Sequence, residues 1–288
     1  MGKGQKIWIW QKEIPSSEED DWELKLDGIE NAVIVGSPQA TIATASVYCT
    51  DSEVARQLLD EHGGTIEESE VTDWVAENAV QEPPVLVRDA MVVTQEMDPE
   101  FLTKLTEQYP RRTILSVPAQ MAFGTGQHET TSTCLRLLVD SARRWMPGWS
   151  MVDVGTGSGL LALGARVLGA GDGEVDAFDF DPKAVEISIE NAQRNEISGI
   201  HFYEQDVLNW KPVRTYDVVA ANLYSSLLEQ AMPSLRAAAK PGATLILSGI
   251  LRTQLDDVLA AARESGFEVE KTVARGKWVG VLGAAIAS

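Results

Sequence analysis

The sequence predicts an α/β protein built on a doubly wound, largely parallel sheet, with a smaller α+β unit ahead of it. From Met121 onward, strand-like and helix-like stretches alternate, the order that places helices on both faces of a parallel sheet. The first strand of that series runs into Gly155-Thr-Gly-Ser-Gly159, a loop able to bring its backbone close to a ligand at the strand's carboxyl end. Ahead of it, residues 1–71 mix short β-branched runs with one helical stretch.

In that first segment, Ile7 to Trp10 and Thr41 to Cys49 are expected as strands. A helix is expected from Ser52, taken as its cap, to His62, where Gly63 and Gly64 stop it. Thr65 to Val71 follows as a strand, while Ser16 to Pro38 carries both periods and is assigned to neither. Residues 72–120 form a proline-punctuated linker with short strands at Val85 to Val87, Ala90 to Thr94 and Ile114 to Val117. Residues 121–288 form the main unit. Its helices are expected at Thr130 to Trp145, Leu160 to Leu168, Pro182 to Asn195 and Thr253 to Ser265. Its strands are expected at Ser150 to Val154, Glu174 to Asp179, Ile200 to Glu204, Tyr216 to Ala221 and Ala243 to Ser248. Phe267 to Val273 and Trp278 to Ala284, joined by a short turn near Gly276, are expected to close the sheet as an antiparallel pair.

The formal charge of −19 is unevenly spread, with 23 Asp and Glu against 9 Lys and Arg in residues 1–120. An acidic surface repels phosphate backbones, so direct nucleic-acid binding is not expected. It attracts a basic partner, although a plain solvated surface accounts for it equally well. No apolar run approaches the ~20 residues of a membrane-spanning helix. Lys6 stands where a myristoylation signal needs Ser or Thr, and the first residues lack an apolar leader core. Two cysteines, Cys49 and Cys134, and three scattered histidines give no metal-ligand spacing. A monomeric cytoplasmic protein without a metal is expected.

The chemistry lies at the strand ends. A dinucleotide fingerprint wants glycine at 155, 157 and 160, but Leu160 stands at the third place. Asp153 precedes the loop, which suits S-adenosylmethionine, a cofactor offering an ammonium and a sulfonium rather than a phosphate. Asp179 ends the second strand 24 residues after Gly155, where an acidic residue accepts from both ribose hydroxyls. Asp181, just before Pro182, reads as a helix cap. Asp206 either accepts from an adenine amino group, with Val207 on the base edge, or caps its loop. Asn222 ends the fourth strand and either aims an amine at the methyl group through its carbonyl oxygen or forms a turn. The glycine-rich segment Met121 to Thr131 either covers a ligand with Phe123 and His128 or acts as a hinge.

Taken together, these segments resemble the bacterial ribosomal protein L11 methyltransferases. The family's Ala-Phe-Gly-Thr-Gly-x-His-x-Thr-Thr stands here from Ala122 to Thr131. Asp-x-Gly-x-Gly-Ser-Gly, Asp-x-Asp-Pro and Val-x-Ala-Asn follow in order, as do Ser248 to Leu251 and Gly276 to Val279. The resemblance covers about residues 72–288. It implies a class I, Rossmann-like S-adenosylmethionine-dependent methyltransferase domain preceded by a ferredoxin-like domain that recognises a basic ribosomal protein. It further implies that Thr131, Gly155, Asp179 and Asn222 contact the cofactor; Gly157 belongs to the same loop. Two departures stand out. Asn78 replaces the second tryptophan of the family's linker pair after Trp74, and residues 1–70 match only in layout. Lysine and N-terminal amines are the expected acceptors. Another protein's lysine, as in the branch that methylates the electron-transfer flavoprotein β subunit, a small molecule, and a cofactor-binding assembly factor without turnover are the alternatives.

Overall fold

Side-chain alternation along the strands decides which faces are buried. The computed structural model describes residues 6–15, 18, 22, 25, 26, 29, 32–35, 41–70, 83–119, 123–169 and 173–286. The chain divides into two units, Met1–Val80 and Gln81–Ser288.

The first unit contains strands β1 (Lys6–Pro15), β2 (Ala32–Val35), β3 (Ile42–Cys49) and β4 (Thr65–Glu70), with helix α1 (Ser52–His62) between the last two. The sheet order is β2-β3-β1-β4, antiparallel throughout, which is the ferredoxin-like arrangement. Trp10 and Ile14 of β1 share a core with Ala45 and Val47 of β3 and with Ala55 and Leu58 of α1. The Trp10 indole also donates to Gly63 O at 2.7 Å, so the largest core residue spends its one polar hydrogen on the helix terminus. Asp51, not Ser52, caps α1: its carboxylate accepts from Glu53 N, and Ser52 is already helical. Trp74 and Asn78, like Val71, lie outside the described residues.

In the second unit, β5 (Val85–Val87), β6 (Met91–Thr94) and β7 (Thr113–Ser116) form a three-stranded sheet. Helix α2 (Pro99–Gln108) joins β6 to β7, although the sequence reading takes Pro99 as a breaker. Pro99 occupies the first turn, where its missing N–H costs nothing, and Asp98 caps the helix by accepting from Phe101 N at 2.8 Å.

Then come α3 (Glu129–Ala142), β8 (Ser150–Val154), α4 (Leu160–Leu168), β9 (Glu174–Asp179), α5 (Pro182–Arg194), β10 (Ile200–Glu204) and β11 (Tyr216–Asn222). They are followed by α6 (Ser225–Ala238), β12 (Ala239–Leu251), α7 (Leu255–Glu264), β13 (Phe267–Arg275) and β14 (Trp278–Ala285). The seven strands order as β10-β9-β8-β11-β12-β14-β13. All neighbours are parallel except β14, which runs antiparallel to both β12 and β13, the expected terminal pair.

Met151, Val175, Ala177, Val218 and Ala220 face α3 and α4, while Val152, Val154, Phe178, Val219 and Ala221 face α6 and α7. The sequence reading assigns no helix to residues 225–238, where Pro233 sits inside α6. The proline costs one backbone hydrogen bond, and burial of Leu228, Met232 and Leu235 outweighs it. From β8 the chain winds outward to β9 and β10, then returns to β11 on the other side. The strand order therefore reverses between β8 and β11, opening a crevice at their carboxyl ends. Among the described residues no helix is long and apolar enough to cross a membrane.

Candidate functional site

The crevice is built from the ends of β8, β9 and β11 and from the segment entering α3. Gly155, Gly157 and Gly159 all have positive φ, 68°, 54° and 83°, so the loop after β8 is a run of left-handed turns that side chains rarely tolerate. Close neighbours occupy the missing Cβ positions. At Gly155 a Cβ would lie 2.4 Å from Leu223, and at Gly157 it would lie 2.4 Å from the carbonyl oxygen of Phe123.

The segment Phe123 to His128 lies over this loop as a cover. Ser158 fastens it twice: its N–H donates to Phe123 O at 2.9 Å and its hydroxyl to Gly124 O at 2.6 Å. Sequence reasoning did not single out Ser158, whose place between two loop glycines was the available signal. Beneath the cover, Phe123, Gly124, Thr131, Gly155, Ser158 and Asn222 are among the residues lining one cleft.

Asn222 gives the cleft its chemistry. Its amide nitrogen donates to the Thr131 hydroxyl at 3.3 Å, while its carbonyl oxygen is buried and has no partner. An orphaned buried acceptor is costly unless a donor arrives. Among the described residues no carboxylate, imidazole or amine side chain lines the cleft. The structure thus brings Thr131, Gly155, Asn222 and Phe123 together.

Asp179, at the end of β9, is 8% exposed. Its carboxylate accepts from Gly157 N at 2.9 Å and Asp181 N at 3.1 Å. Burial raises its pKa above the ordinary carboxylate value, and the two backbone donors oppose the shift. Next to it, the Phe180 ring is 74% exposed. Asp181 caps α5 by accepting from Lys183 N at 2.8 Å, as its place before Pro182 implies. Asp206 caps a short turn: one oxygen accepts from Leu208 N at 2.9 Å and the other from the Asn209 amide at 2.6 Å. That geometry is the loop-capping alternative of the sequence reading.

His128 is the N-cap of α3. Its Nδ1 accepts from Thr130 N at 3.3 Å, which requires the neutral ring. Burial, helped by nearby Lys277, lowers its pKa to about 4. The ring also packs edge-on between Phe123 at 5.0 Å and Trp278 at 5.3 Å.

Asp153 departs from the sequence reading. Placed before the glycine loop, it was expected to face a cationic ligand, but it is fully buried. One oxygen accepts from the Thr156 hydroxyl at 2.7 Å and Ala162 N at 3.2 Å, tying the loop to the first turn of α4. Burial pushes its pKa up to about 7, with Asp179 adding to the rise and the Thr156 and Ala162 bonds opposing it.

S-adenosylmethionine fits this constellation. The loop's φ values leave a backbone cradle without Cβ atoms, and Asp179 ends β9 beside that loop and accepts from Gly157 N. Asn222, which lines the cleft, has a buried carbonyl oxygen without a partner. Among the described residues no group of three His, Cys, Asp or Glu is arranged to hold a metal ion.

Comparison with known proteins shows the family. The family model described as ribosomal protein L11 methyltransferase (PrmA) matches residues 10–285. Ribosomal protein L11 methyltransferases of Methylobacillus flagellatus and Desulforapulum autotrophicum are 35% and 36% identical over 73% and 61% of this chain. The matches cover 66% and 57% of those relatives, so the chain spans less than two thirds of their length. The crystal structure of ribosomal protein L11 methylase from Lactobacillus delbrueckii subsp. bulgaricus superposes with a TM-score of 0.59 at 25% identity. It covers 71% of this chain and 100% of that one.

The raised pKa of Asp153 has a measurable consequence. The folded state retains this proton between pH 3.8 and about 7 while the unfolded chain releases it. The stabilisation is therefore complete below 3.8 and disappears as pH rises through 7. Asp153→Asn is expected to remove that part of the slope, so that the stability difference between native protein and variant, from urea unfolding, changes across this window. A constant difference from pH 4 to pH 8 would contradict the assignment.

Proposed function

The chain belongs to the ribosomal protein L11 methyltransferase family, and from that premise we propose that it transfers methyl groups from S-adenosylmethionine to lysine and N-terminal amines of ribosomal protein L11. The buried, partnerless carbonyl oxygen of Asn222 carries this reading. An amine entering the cleft donates a hydrogen to that oxygen and turns its lone pair away from it. When bound, the cofactor supplies an activated methyl group on a cationic sulfur. The protein's task is then to position the amine and exclude water.

The amine must reach the site neutral. An unperturbed lysine, with a pKa of ~10.4, costs roughly 4–5 kcal/mol to deprotonate at pH 7. Burial near a positive charge lowers that pKa. A cleft with no carboxylate among its described lining residues suits this requirement, because a carboxylate would stabilise the ammonium form. Asn222 is a neutral acceptor, and Thr131 holds its amide nitrogen, leaving the oxygen for the substrate. Around the cofactor, Gly155 and Gly157 form the cradle, Asp179 receives the ribose, and Phe180 with the Asp206 turn flanks the adenine. Phe123 covers the cleft and His128 holds that cover on α3. The first unit recognises the substrate protein. The excess of 23 acidic over 9 basic residues in positions 1–120 supports steering of a lysine-rich partner.

Purified protein, methyl-labelled cofactor and ribosomal protein L11 should yield labelled L11, with the label on amines by mass spectrometry. Label passing only to another protein of a cell extract would overturn the substrate assignment. Asn222→Ala should lower kcat about 100-fold, while calorimetry still detects S-adenosylhomocysteine binding. An unchanged kcat would remove Asn222 from the mechanism.

A further inference from the structure

Helix α5 ends in two asparagines one turn apart, Asn191 and Asn195, and both side chains reach away from the helix. Asn195 treats Ser116 as a strand would: its Oδ1 accepts from Ser116 N at 2.8 Å and its Nδ2 donates to Ser116 O at 2.8 Å. Ser116 is the last residue of β7, an edge strand, so this one side chain replaces a missing ladder pair. Only an amide offers a donor and an acceptor in that geometry; aspartate lacks the donor. The same Nδ2 also donates to Asn191 O at 2.8 Å. Asn191, fully buried, donates from its own Nδ2 to Ser158 O at 2.9 Å. Ser158 in turn fastens Phe123 and Gly124 of the cover.

We propose that Asn195 and Asn191 are positioning residues that brace the cover of the cofactor cleft from helix α5. The brace holds the strand end from which the chain departs toward the cover and, through Ser158, the glycine loop on which the cover rests. Its purpose rests on the cofactor reading above; the brace itself is a property of the protein alone. Neither asparagine lines the cleft, so their effect reaches the cofactor only through Ser116 and Ser158. Loss of the brace lets the cover open and shortens retention of the cofactor, leaving Asn222 and the chemical step in place.

The test uses the full chain with Asn195→Ala and the near-isosteric Asn195→Asp. Lys183→Ala serves as a control on the exposed first turn of the same helix, where Lys183 pairs with Glu186 at 2.7 Å. In the ligand-free protein, amide hydrogen exchange over residues 113–130 and 155–160 should accelerate in both Asn195 variants and stay at the native rate in Lys183→Ala. The dissociation constant of S-adenosylhomocysteine and the KM for S-adenosylmethionine should each rise about tenfold. At saturating cofactor, kcat should change less than about threefold. Native exchange over residues 155–160 in Asn195→Ala would overturn the proposal, as would a fall in kcat with KM and binding unchanged. If the native protein fails to bind S-adenosylhomocysteine, the cofactor reading fails, and the exchange measurement still decides whether the brace exists.

Discussion

The carbonyl oxygen of Phe123 sits where a side chain at position 157 would begin, and the rest of the site follows from that approach. Because Gly157 lacks a Cβ and adopts φ of 54°, its N–H turns to Asp179 while the next N–H, of Ser158, turns to Phe123. Two consecutive amides thus join the end of β9 and the cover to one loop. The cover then enters α3 at His128, whose first turn carries Thr131, and Thr131 fixes the amide of Asn222 at the end of β11.

These links explain why so many polar groups are buried around the cleft. Thr130, Thr131, Asp153, Thr156, Ser158, Asp179 and Asn191 are all nearly inaccessible. Such groups stabilise one arrangement only when each finds its partners. Asp153 meets that condition on one oxygen only; its other oxygen is buried without a partner, and the burial raises its pKa toward neutrality. Asn222 leaves its carbonyl oxygen unsatisfied as well, but it lines the cleft, and the proposed function gives that oxygen an incoming amine as its donor. The two orphans differ in setting: the Asp153 oxygen is sealed beside the one that ties the loop to α4, whereas the Asn222 oxygen belongs to a residue that lines the cleft.

Much of this was legible in the sequence. The glycine loop, Leu160 at the third fingerprint position, Asp179 and Asn222 each had a local signal, because strand ends and loop glycines carry their chemistry in the chain itself. Asp153 was misread since its neighbours along the chain do not reveal that its side chain turns to the first turn of α4 and is fully buried. Helix α2 was missed because Pro99 looks like a breaker when capping by Asp98 is out of view. Residues 225–238, with Pro233 inside α6, were assigned no element because the burial of Leu228 and Leu235 is likewise out of view. The roles of Ser158, Asn191 and Asn195 were invisible for a similar reason. Their partners lie 34, 33 and 79 residues away, and only the folded sheet brings them together. The ferredoxin-like order of the first unit also exceeded what its mixed periodicity disclosed.

The central claim is that the backbone contact at Gly157 builds the cofactor site. Calorimetric titration of a Gly157→Ala variant with S-adenosylhomocysteine tests it most directly. The added methyl meets the Phe123 carbonyl at a strained φ, so binding should weaken at least about tenfold while circular dichroism remains native. Native affinity in a correctly folded Gly157→Ala protein would contradict the account.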